Sequence, residues 1–337
     1  MTVVWTPVFI LVEIAIAIAV FFGFRSFGND YVFFAGYTVL QFIVLATAWN
    51  ILGGYCGYVN FGSAGFFAIG AYTSVFLYTI GQSPEEVFPE SLLGPMSWIF
   101  PLSVPTIIVF AGIIAGLVGL GTGYLTLRLR GVFFAIATLA LAVVLQTLVV
   151  NWSFVGGSRG AYVIPPNTVP LIGPYIQYLF TLMLVLVVVA LTTARLIERS
   201  RLGFGFATIR DDELAAEACG VPTLKLKLIA TVISGALMGM AGAPFPFYIG
   251  YTEPGSVFDL GYAVNTIAMP MIGGTTSWAG PLIGAILLGT LQQVATVTIS
   301  SAANLLIVGL LLVGFVIVAP NGIVGLWQNL VKRGAKR

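Results

Sequence analysis

Long, almost unbroken hydrophobic runs make up most of this chain, and short polar segments separate them. A helix needs ~20 mostly apolar residues to cross the ~30 Å hydrocarbon core of a bilayer. The runs do not alternate between polar and apolar positions as the strands of a membrane barrel would, so they predict helices. We predict ten spans, at residues 4–23, 31–52, 61–80, 102–126, 131–151, 175–197, 225–247, 257–273, 280–299 and 302–319.

One long polar stretch, at residues 198–228, interrupts this pattern. It holds five of the twelve acidic residues and five of the fourteen basic ones. Asp211 or Asp212 suits the N-cap of a short helix, Gly220 suits the position after its end, and Pro222 follows as a stop. This predicts a helix of about eight residues outside the bilayer. Its apolar positions form one face, which we interpret as a surface for a protein partner: Leu214, Ala215, Ala218 and Cys219.

Composition supports a membrane protein without a soluble domain. The chain has 337 residues, of which 59% are hydrophobic and 8% are charged, whereas a soluble domain carries about 25% charged residues. The first run is long enough to span and lacks a basic leader, so we expect a retained helix rather than a signal peptide. We therefore predict an all-α integral membrane protein, a single domain over residues 1–337.

The distribution of lysine and arginine predicts the orientation. When the loop at 198–224 is placed in the cytoplasm and ten spans are threaded from it, only Arg25 and Arg159 fall outside. Both termini then lie in the cytoplasm, as do Cys56 and Cys219, so no disulfide is expected. Twelve of the fourteen basic residues lie inside: Arg128, Arg130, Arg195, Arg199, Arg201, Arg210, Lys225, Lys227, Lys332, Arg333, Lys336 and Arg337.

Glycine-rich segments mark places where the backbone departs from a plain helix or packs closely. Residues 50–65 contain five glycines, and this segment is either re-entrant, with backbone lining a cavity, or a tight turn beside closely packed helices. Small residues four apart, as in Gly112/Gly116 and Gly235/Gly239, favour close helix packing. We interpret the segment 151–160, which holds Arg159, as a structured outward turn, with a docking or substrate-entry loop as the alternative.

Polar residues at membrane depth are few. We predict that uncharged ones among them line a translocation path, with interhelical hydrogen bonds as the alternative. Glu13 lies in the first span without a basic residue in that span, so it should face protein or be protonated. The candidate path residues are Asn50, Asn60, Ser63, Thr73, Asn265 and Thr266.

Several motifs, in order along residues 40–325, resemble those of the LivM-type membrane permeases of ABC importers for branched-chain amino acids and related amino acids, amides and urea. The first is NILGGYCGYVNFGSAGFFAIGAY at 50–72, followed by RLRGVFFAIATL at 128–139 and the segment 151–160. SRLG at 200–203 precedes ATIRDDE at 207–213, and MIGG at 271–274 precedes Gly280 and Pro281. Relatives often carry histidine where this chain has Ser63.

The resemblance implies a cytoplasmic coupling helix with the pattern EAA-x-x-x-G. Ala215, Ala216 and Gly220 match its alanines and glycine, while Leu214 occupies the glutamate position and Glu213 precedes it. The resemblance also implies a bacterial inner-membrane location amid membrane lipid, a homologous permease partner, two ABC ATPases and a periplasmic substrate-binding protein, with no nucleic acid and no cofactor. The residues assigned to the ATPase contact are Arg210, Asp211, Asp212, Glu213, Ala215, Ala216 and Gly220.

Two other functional classes remain as alternatives. An ion-coupled secondary transporter is expected to use ionisable groups in its spans, and Glu13 is the clearest one here. A membrane-embedded enzyme is disfavoured because the chain contains no histidine and two cysteines in all. None of the four lysines follows a G-x-x-x-x-G loop, so ATP hydrolysis is expected to belong to partner subunits. Within the family, urea and aromatic or other carboxylates remain alternative substrates.

Overall fold

The computed structural model describes residues 5–82, 84–86, 100–165, 168–169, 173–298, 306, 309–310, 313–314 and 322–326. Almost all regular structure in this part of the chain is helical. The helices are α1 Trp5–Ser26, α2 Asp30–Asn50, α3 Ser63–Gln82, α4 Val104–Thr126, α5 Val132–Val150, α6 Tyr175–Glu198, α7 Arg201–Asp211, α8 Glu213–Ala218, α9 Thr223–Gly242, α10 Phe245–Ile249, α11 Pro254–Val257, α12 Leu260–Gly273 and α13 Ala279–Thr298. A π-helical turn, Ile51–Tyr55, extends α2, and short 3-10 turns lie at Pro84–Glu86, Ser153–Val155 and Gly157–Arg159.

Within the described residues, eight helical segments are long and apolar enough to cross a membrane. They correspond to eight of the ten predicted runs, which confirms an all-α membrane protein. They are Pro7–Ser26, Asp30–Tyr55, Ser63–Gln82, Val104–Thr126, Val132–Val150, Tyr175–Glu198, Thr223–Ile249 and Ala279–Val297. The predicted run at 257–273 begins at the last residue of α11 and contains the 14-residue α12, which includes Pro270. Most of the run at 302–319 lies outside the described residues, and so do residues 332–337.

The described chain forms two compact units. The first comprises residues 1–59, 176–230 and 264–337 as far as they are described. In it, α2 packs along α13, and α2 is buried from Leu40 to its end. Close contacts between backbones require glycine here, because a Cβ on Gly284 would overlap the carbonyl of Met269. Phe24, Phe33 and Phe180 pack ring against ring and join α1, α2 and α6.

The second unit comprises residues 60–175 and 231–263. Helix α3 lies at its centre and packs on α4 and α5. Gly70 of α3 meets the backbone of Gly239 in α9 so closely that a Cβ would overlap the Gly239 carbonyl. Nearby, the Ser74 hydroxyl donates to the carbonyl of Ala243 at 2.7 Å. The predicted small-residue stripes serve this packing, since Gly239 also faces Ala111 and Ala115 of α4.

Two short antiparallel ribbons also lie in the second unit. β1, Ala161–Tyr162, pairs with β4, Tyr251–Thr252, and β2, Thr168–Val169, pairs with β3, Gly173–Pro174. Gly156, Gly157 and Gly160 have positive φ, which glycine adopts without strain. The Tyr251 hydroxyl donates to the carbonyl of Arg159 at 2.5 Å. The segment 151–160 is therefore a structured turn, as predicted.

Candidate functional site

The predicted polar loop contains two helices, and the sequence predicted one of them. After α6 ends at Glu198, the Ser200 side chain caps α7 by accepting from the N–H groups of Leu202 and Gly203 at 3.1 and 3.4 Å. Phe206 and Ile209 are buried, at 0% and 3% exposed, so α7 is amphipathic. Helix α7 was not predicted from the sequence; the three-residue spacing of Phe206 and Ile209 was the available signal.

The second helix, α8, is the one that the sequence predicts, and it has six residues. Asp212 is its N-cap, and the side chain accepts from the Ala215 N–H at 3.0 Å. At the other end Gly220 has φ +85°, and its N–H donates to the Glu217 carbonyl at 2.9 Å. The next N–H, of Val221, donates to the Ala216 carbonyl at 3.0 Å. Both terminal signals read from the sequence therefore act as local capping chemistry dictates.

Most of the apolar surface of α8 faces outward. Leu214 is 65% exposed, and Ala215, Ala218 and Cys219 are also exposed. Ala216 differs, because it is 5% exposed and faces the protein interior. Ala216 was assigned to the ATPase contact together with its exposed neighbours, and that assignment stays a prediction.

Beside α8, the charged residues of the loop differ in their surroundings. Arg210 and Asp211 form an ion pair at 3.4 Å with exposed side chains, and such pairs contribute little to stability. The backbone of Gly57 lies against Arg210, since a Cβ on Gly57 would stand 3.0 Å from the Arg210 Cγ. Gly57 has φ +78°, so both conformation and space favour glycine there.

Glu213, at the start of α8, belongs to a buried charged cluster that the sequence did not predict. Its Oε1 lies 2.7 Å from the Lys227 Nζ of α9, and these side chains are 12% and 3% exposed. The Lys227 ammonium also donates to the Tyr58 hydroxyl at 3.1 Å, and that hydroxyl donates to Glu213 Oε2. The sequence did contain a signal for this cluster: Lys227 lies inside a predicted span, and a buried charge requires a partner.

A second carboxylate holds the π-helical turn. Glu198 Oε2 accepts from the Tyr55 hydroxyl at 3.4 Å and from the Trp278 backbone N–H at 2.8 Å. Gly54, inside the turn, has no room for a Cβ, which would lie 2.6 Å from the Thr275 carbonyl oxygen. The glycine-rich segment thus begins as a π turn with a closely approached backbone and continues without helix until α3.

Among the six candidate path residues, three form side-chain hydrogen bonds with identified groups. The Asn60 side chain accepts from the Gly62 N–H at 2.7 Å. Thr73 donates to the Ile69 carbonyl of its own helix at 2.7 Å, and Asn265 accepts from Gln292 at 2.8 Å. These hydrogen bonds are compatible with both predicted roles, so the assignment of these three to the path stays a prediction. The remaining three are almost fully buried: Asn50 at 1%, Ser63 at 1% and Thr266 at 1% exposed.

Glu13 faces protein, as its position in a span requires. The carboxylate of this residue, 7% exposed, accepts from the Thr192 hydroxyl of α6 at 2.8 Å. One turn further along α6, the Arg195 guanidinium lies 3.5 Å from the centre of the Phe9 ring. The polar partner absent from α1 is therefore supplied by α6, and these contacts join the two helices.

The two cysteines differ in accessibility, and neither forms a disulfide. Cys219 follows α8 and is exposed, whereas Cys56 is buried after the π turn. Burial raises the pKa of the Cys56 thiol to about 12. Because the thiolate is the nucleophile, Cys56 is expected to be inert to thiol reagents at neutral pH.

Comparison with known proteins gives a consistent result over most of the chain. The model of the family described as "Branched-chain amino acid transport system / permease component" matches residues 31–316. The high-affinity branched-chain amino acid transport system permease protein LivM of Escherichia coli (strain K12) is 27% identical over 325 residues, covering 88% of this chain and 71% of the relative. LivM of Salmonella typhimurium is 26% identical over 318 residues, covering 86% and 69%.

A further relative is the probable branched-chain amino acid transport permease protein LivH of Methanocaldococcus jannaschii, 25% identical over 243 residues, which covers 68% of this chain and 76% of the relative. No solved structure matches the chain. The family model covers far more than half of the sequence, and the structure has the apolar helices of a membrane protein. The chain belongs to the family of permease components of branched-chain amino acid transport systems.

Proposed function

We propose that this chain forms, with a homologous permease, the path by which an ABC importer moves branched-chain amino acids or related small amino acids and amides across the bacterial inner membrane. The names of its LivM and LivH relatives support this substrate class. Urea and aromatic or other carboxylates are the alternatives within the family. A periplasmic binding protein delivers the substrate, and two ATPases supply the energy.

The observation that carries the coupling role is the exposed apolar surface of α8. Leu214 is 65% exposed within the charged loop. Small neighbours, Ala215 and Ala218, allow a partner to approach closely. Arg210, Asp211 and Asp212 surround this surface with charge, and Gly220 ends the helix. These features suit an ATPase that binds α7 and α8 from the cytoplasm.

The topology that accompanies this role has ten spans and both termini in the cytoplasm. The lysine and arginine distribution supports it. In intact cells, an impermeant thiol reagent should leave Cys219 unlabelled, whereas inside-out vesicles lacking the ATPases should be labelled at that residue. The buried Cys56 should remain unlabelled in both preparations, and Cys219→Ser is the matched control. Ready labelling of Cys219 from outside would reverse the proposed orientation.

The direct test of function is reconstitution with the partner subunits. The permease pair, its ATPases and binding protein are placed in vesicles, and uptake of labelled leucine, phenylalanine and urea is compared. We expect ATP-dependent leucine uptake and no ATP hydrolysis by the permease chain alone, which lacks a phosphate-binding loop. Uptake of urea or phenylalanine in preference to leucine would assign the importer to that substrate instead. ATP turnover by the purified chain itself would contradict the importer role.

The same vesicles separate an importer from an ion-coupled transporter. The acid in the first span, Glu13, is bonded to Thr192, an arrangement that suits a helix contact. We therefore expect uptake to require ATP and to persist when proton and sodium gradients are collapsed. Uptake driven by an imposed gradient without ATP would favour the secondary transporter.

A further inference from the structure

The buried charged cluster of Tyr58, Glu213 and Lys227 joins three separate parts of the first unit. Each member bonds both of the others: Lys227 Nζ lies 2.7 Å from Glu213 Oε1 and 3.1 Å from the Tyr58 hydroxyl, which in turn donates to Glu213 Oε2. The ammonium also lies 4.6 Å from the centre of the Tyr58 ring. Tyr58 is 8% exposed and Lys227 2%, so water screens these contacts little.

The three members come from elements of different kinds. Glu213 is the first residue of the six-residue α8, and Lys227 lies in the second turn of α9. Tyr58 lies in the non-helical segment that follows the π turn, and its N–H donates back to the Leu52 carbonyl at 3.1 Å. The cluster thus connects the exposed helix of the charged loop directly to the glycine-rich segment at the end of α2.

The other contacts that the structure shows for α8 are small. Ala216 is its one buried residue, and Glu217 accepts from Thr223 at 2.8 Å. A six-residue helix with a single buried alanine has little apolar area to hold it. The buried, directional bonds of Glu213 therefore determine where α8 lies relative to Tyr58.

The last residue of the π turn, Tyr55, is held by a different carboxylate. Tyr55 bonds Glu198 at the end of α6, and the same carboxylate accepts from the Trp278 N–H just before α13. The turn is thus held by Glu198 through Tyr55 and by Glu213 through Tyr58. A displacement of α8 would pull on Tyr58 while Tyr55 remains attached to α6. Isolated π turns in α-helices are often found at functional sites.

We propose that the Tyr58–Glu213–Lys227 cluster transmits the displacement of α8, imposed by the ATPases, to the π turn and the following segment 56–59. This rests on the proposed function, because it takes α8 as the ATPase contact. The three are positioning residues: their role is to make the segment 56–59 follow the movement of α8, without contact to substrate or ATP. A buried ion pair suits this task, since it specifies geometry more than it adds stability.

Tyr58→Phe tests the link with the smallest change, since it removes the shared hydroxyl and keeps the ring. Glu213→Gln combined with Lys227→Met removes both charges and leaves no buried charge unpaired. The matched control is Tyr124→Phe, which removes a tyrosine hydroxyl away from the cluster, one that accepts from Arg128 at 2.9 Å. Each variant is reconstituted in the complete importer, and abundance, bound ATPase, ATP turnover and uptake are measured together.

We expect Tyr58→Phe and the double variant to retain the ATPases but to take up less substrate per ATP hydrolysed, by about 5- to 150-fold, the usual range of coupling between sites. Tyr124→Phe should match the wild type. Glu213→Gln alone should lower abundance, because Lys227 is then buried without its anion, and the double variant should restore abundance but not coupling. If the cluster served stability alone, the double variant would recover abundance and coupling together.

A double variant that takes up substrate at the wild-type ratio to ATP would overturn the proposal. This failure is distinguishable from failure of the proposed function. If the wild-type chain binds no ATPase and shows no ATP-dependent uptake, the importer role is at fault. If the wild type is active and the cluster variants remain coupled, the transmission role alone is rejected.

Discussion

Replacing Leu214 by arginine should abolish ATPase binding while leaving the permease folded. Leu214 is 65% exposed, so the substitution adds no steric clash within the chain, but it places a charge in the centre of the proposed contact. Loss of a hot-spot contact costs ~2 kcal/mol or more of binding free energy, which lowers affinity by at least ~30-fold. Co-purification of the ATPases and thermal melting of the permease measure the two effects separately.

Two further substitutions sharpen this test. Gly220→Val should weaken the same contact by straining the end of α8, because the φ of this residue is +85°. A side chain in this backbone conformation costs ~1–2 kcal/mol. No atom lies within 4 Å of the added Cβ, so the backbone strain is the only local effect of the change. Ala216→Arg is expected to lower abundance instead, since it forces a charge into a buried position. If Leu214→Arg assembles and transports like the wild type, α8 is not the ATPase contact.

The second large effect is expected at the crossing of α3 and α9. Gly70→Ala should destabilise the second unit, because the added Cβ would overlap the Gly239 carbonyl and force the two backbones apart. Overpacking of this kind costs ~1–3 kcal/mol and sometimes more, so we expect a lower melting temperature in detergent and reduced abundance in the membrane.

Gly121→Ala on α4 is the matched control, because nothing lies within 4 Å of a Cβ there. Alanine favours helix over glycine by ~1 kcal/mol, so this change should be neutral or stabilising. Equal melting temperatures for Gly70→Ala and Gly121→Ala would mean that the close crossing of α3 and α9 does not hold the unit together.

The fold class and the position of the charged loop follow from sequence alone because both depend on short-range properties. A run of ~20 apolar residues suffices to predict a span, whatever it packs against. The same is true of the ends of α8, since Asp212 caps an N–H three residues away and Gly220 adopts its positive φ locally. The ordered motifs indicated the permease family, and the match of the family model over residues 31–316 confirms it.

The directions of the side chains on α8 could not all be predicted from local sequence. Periodicity grouped Leu214, Ala215, Ala218 and Cys219 on one face, and all four are exposed. It did not identify Ala216 as the residue that faces inward, 5% exposed. For a helix of six residues, the inward side is set by how the neighbouring elements hold it rather than by its own pattern.

By itself, the sequence determined a helical membrane protein with one charged loop, and it placed a short helix there between Asp211 or Asp212 and Gly220. The choice of Asp212 as the N-cap came from the structure. Only the tertiary structure decided which polar groups meet. Glu213 and Tyr58 are 155 positions apart, and Glu13 and Thr192 are 179 apart. No local pattern pairs residues at such separations. Burial then makes these pairs necessary, because a polar group within the protein must find its partner on whichever helix packs beside it.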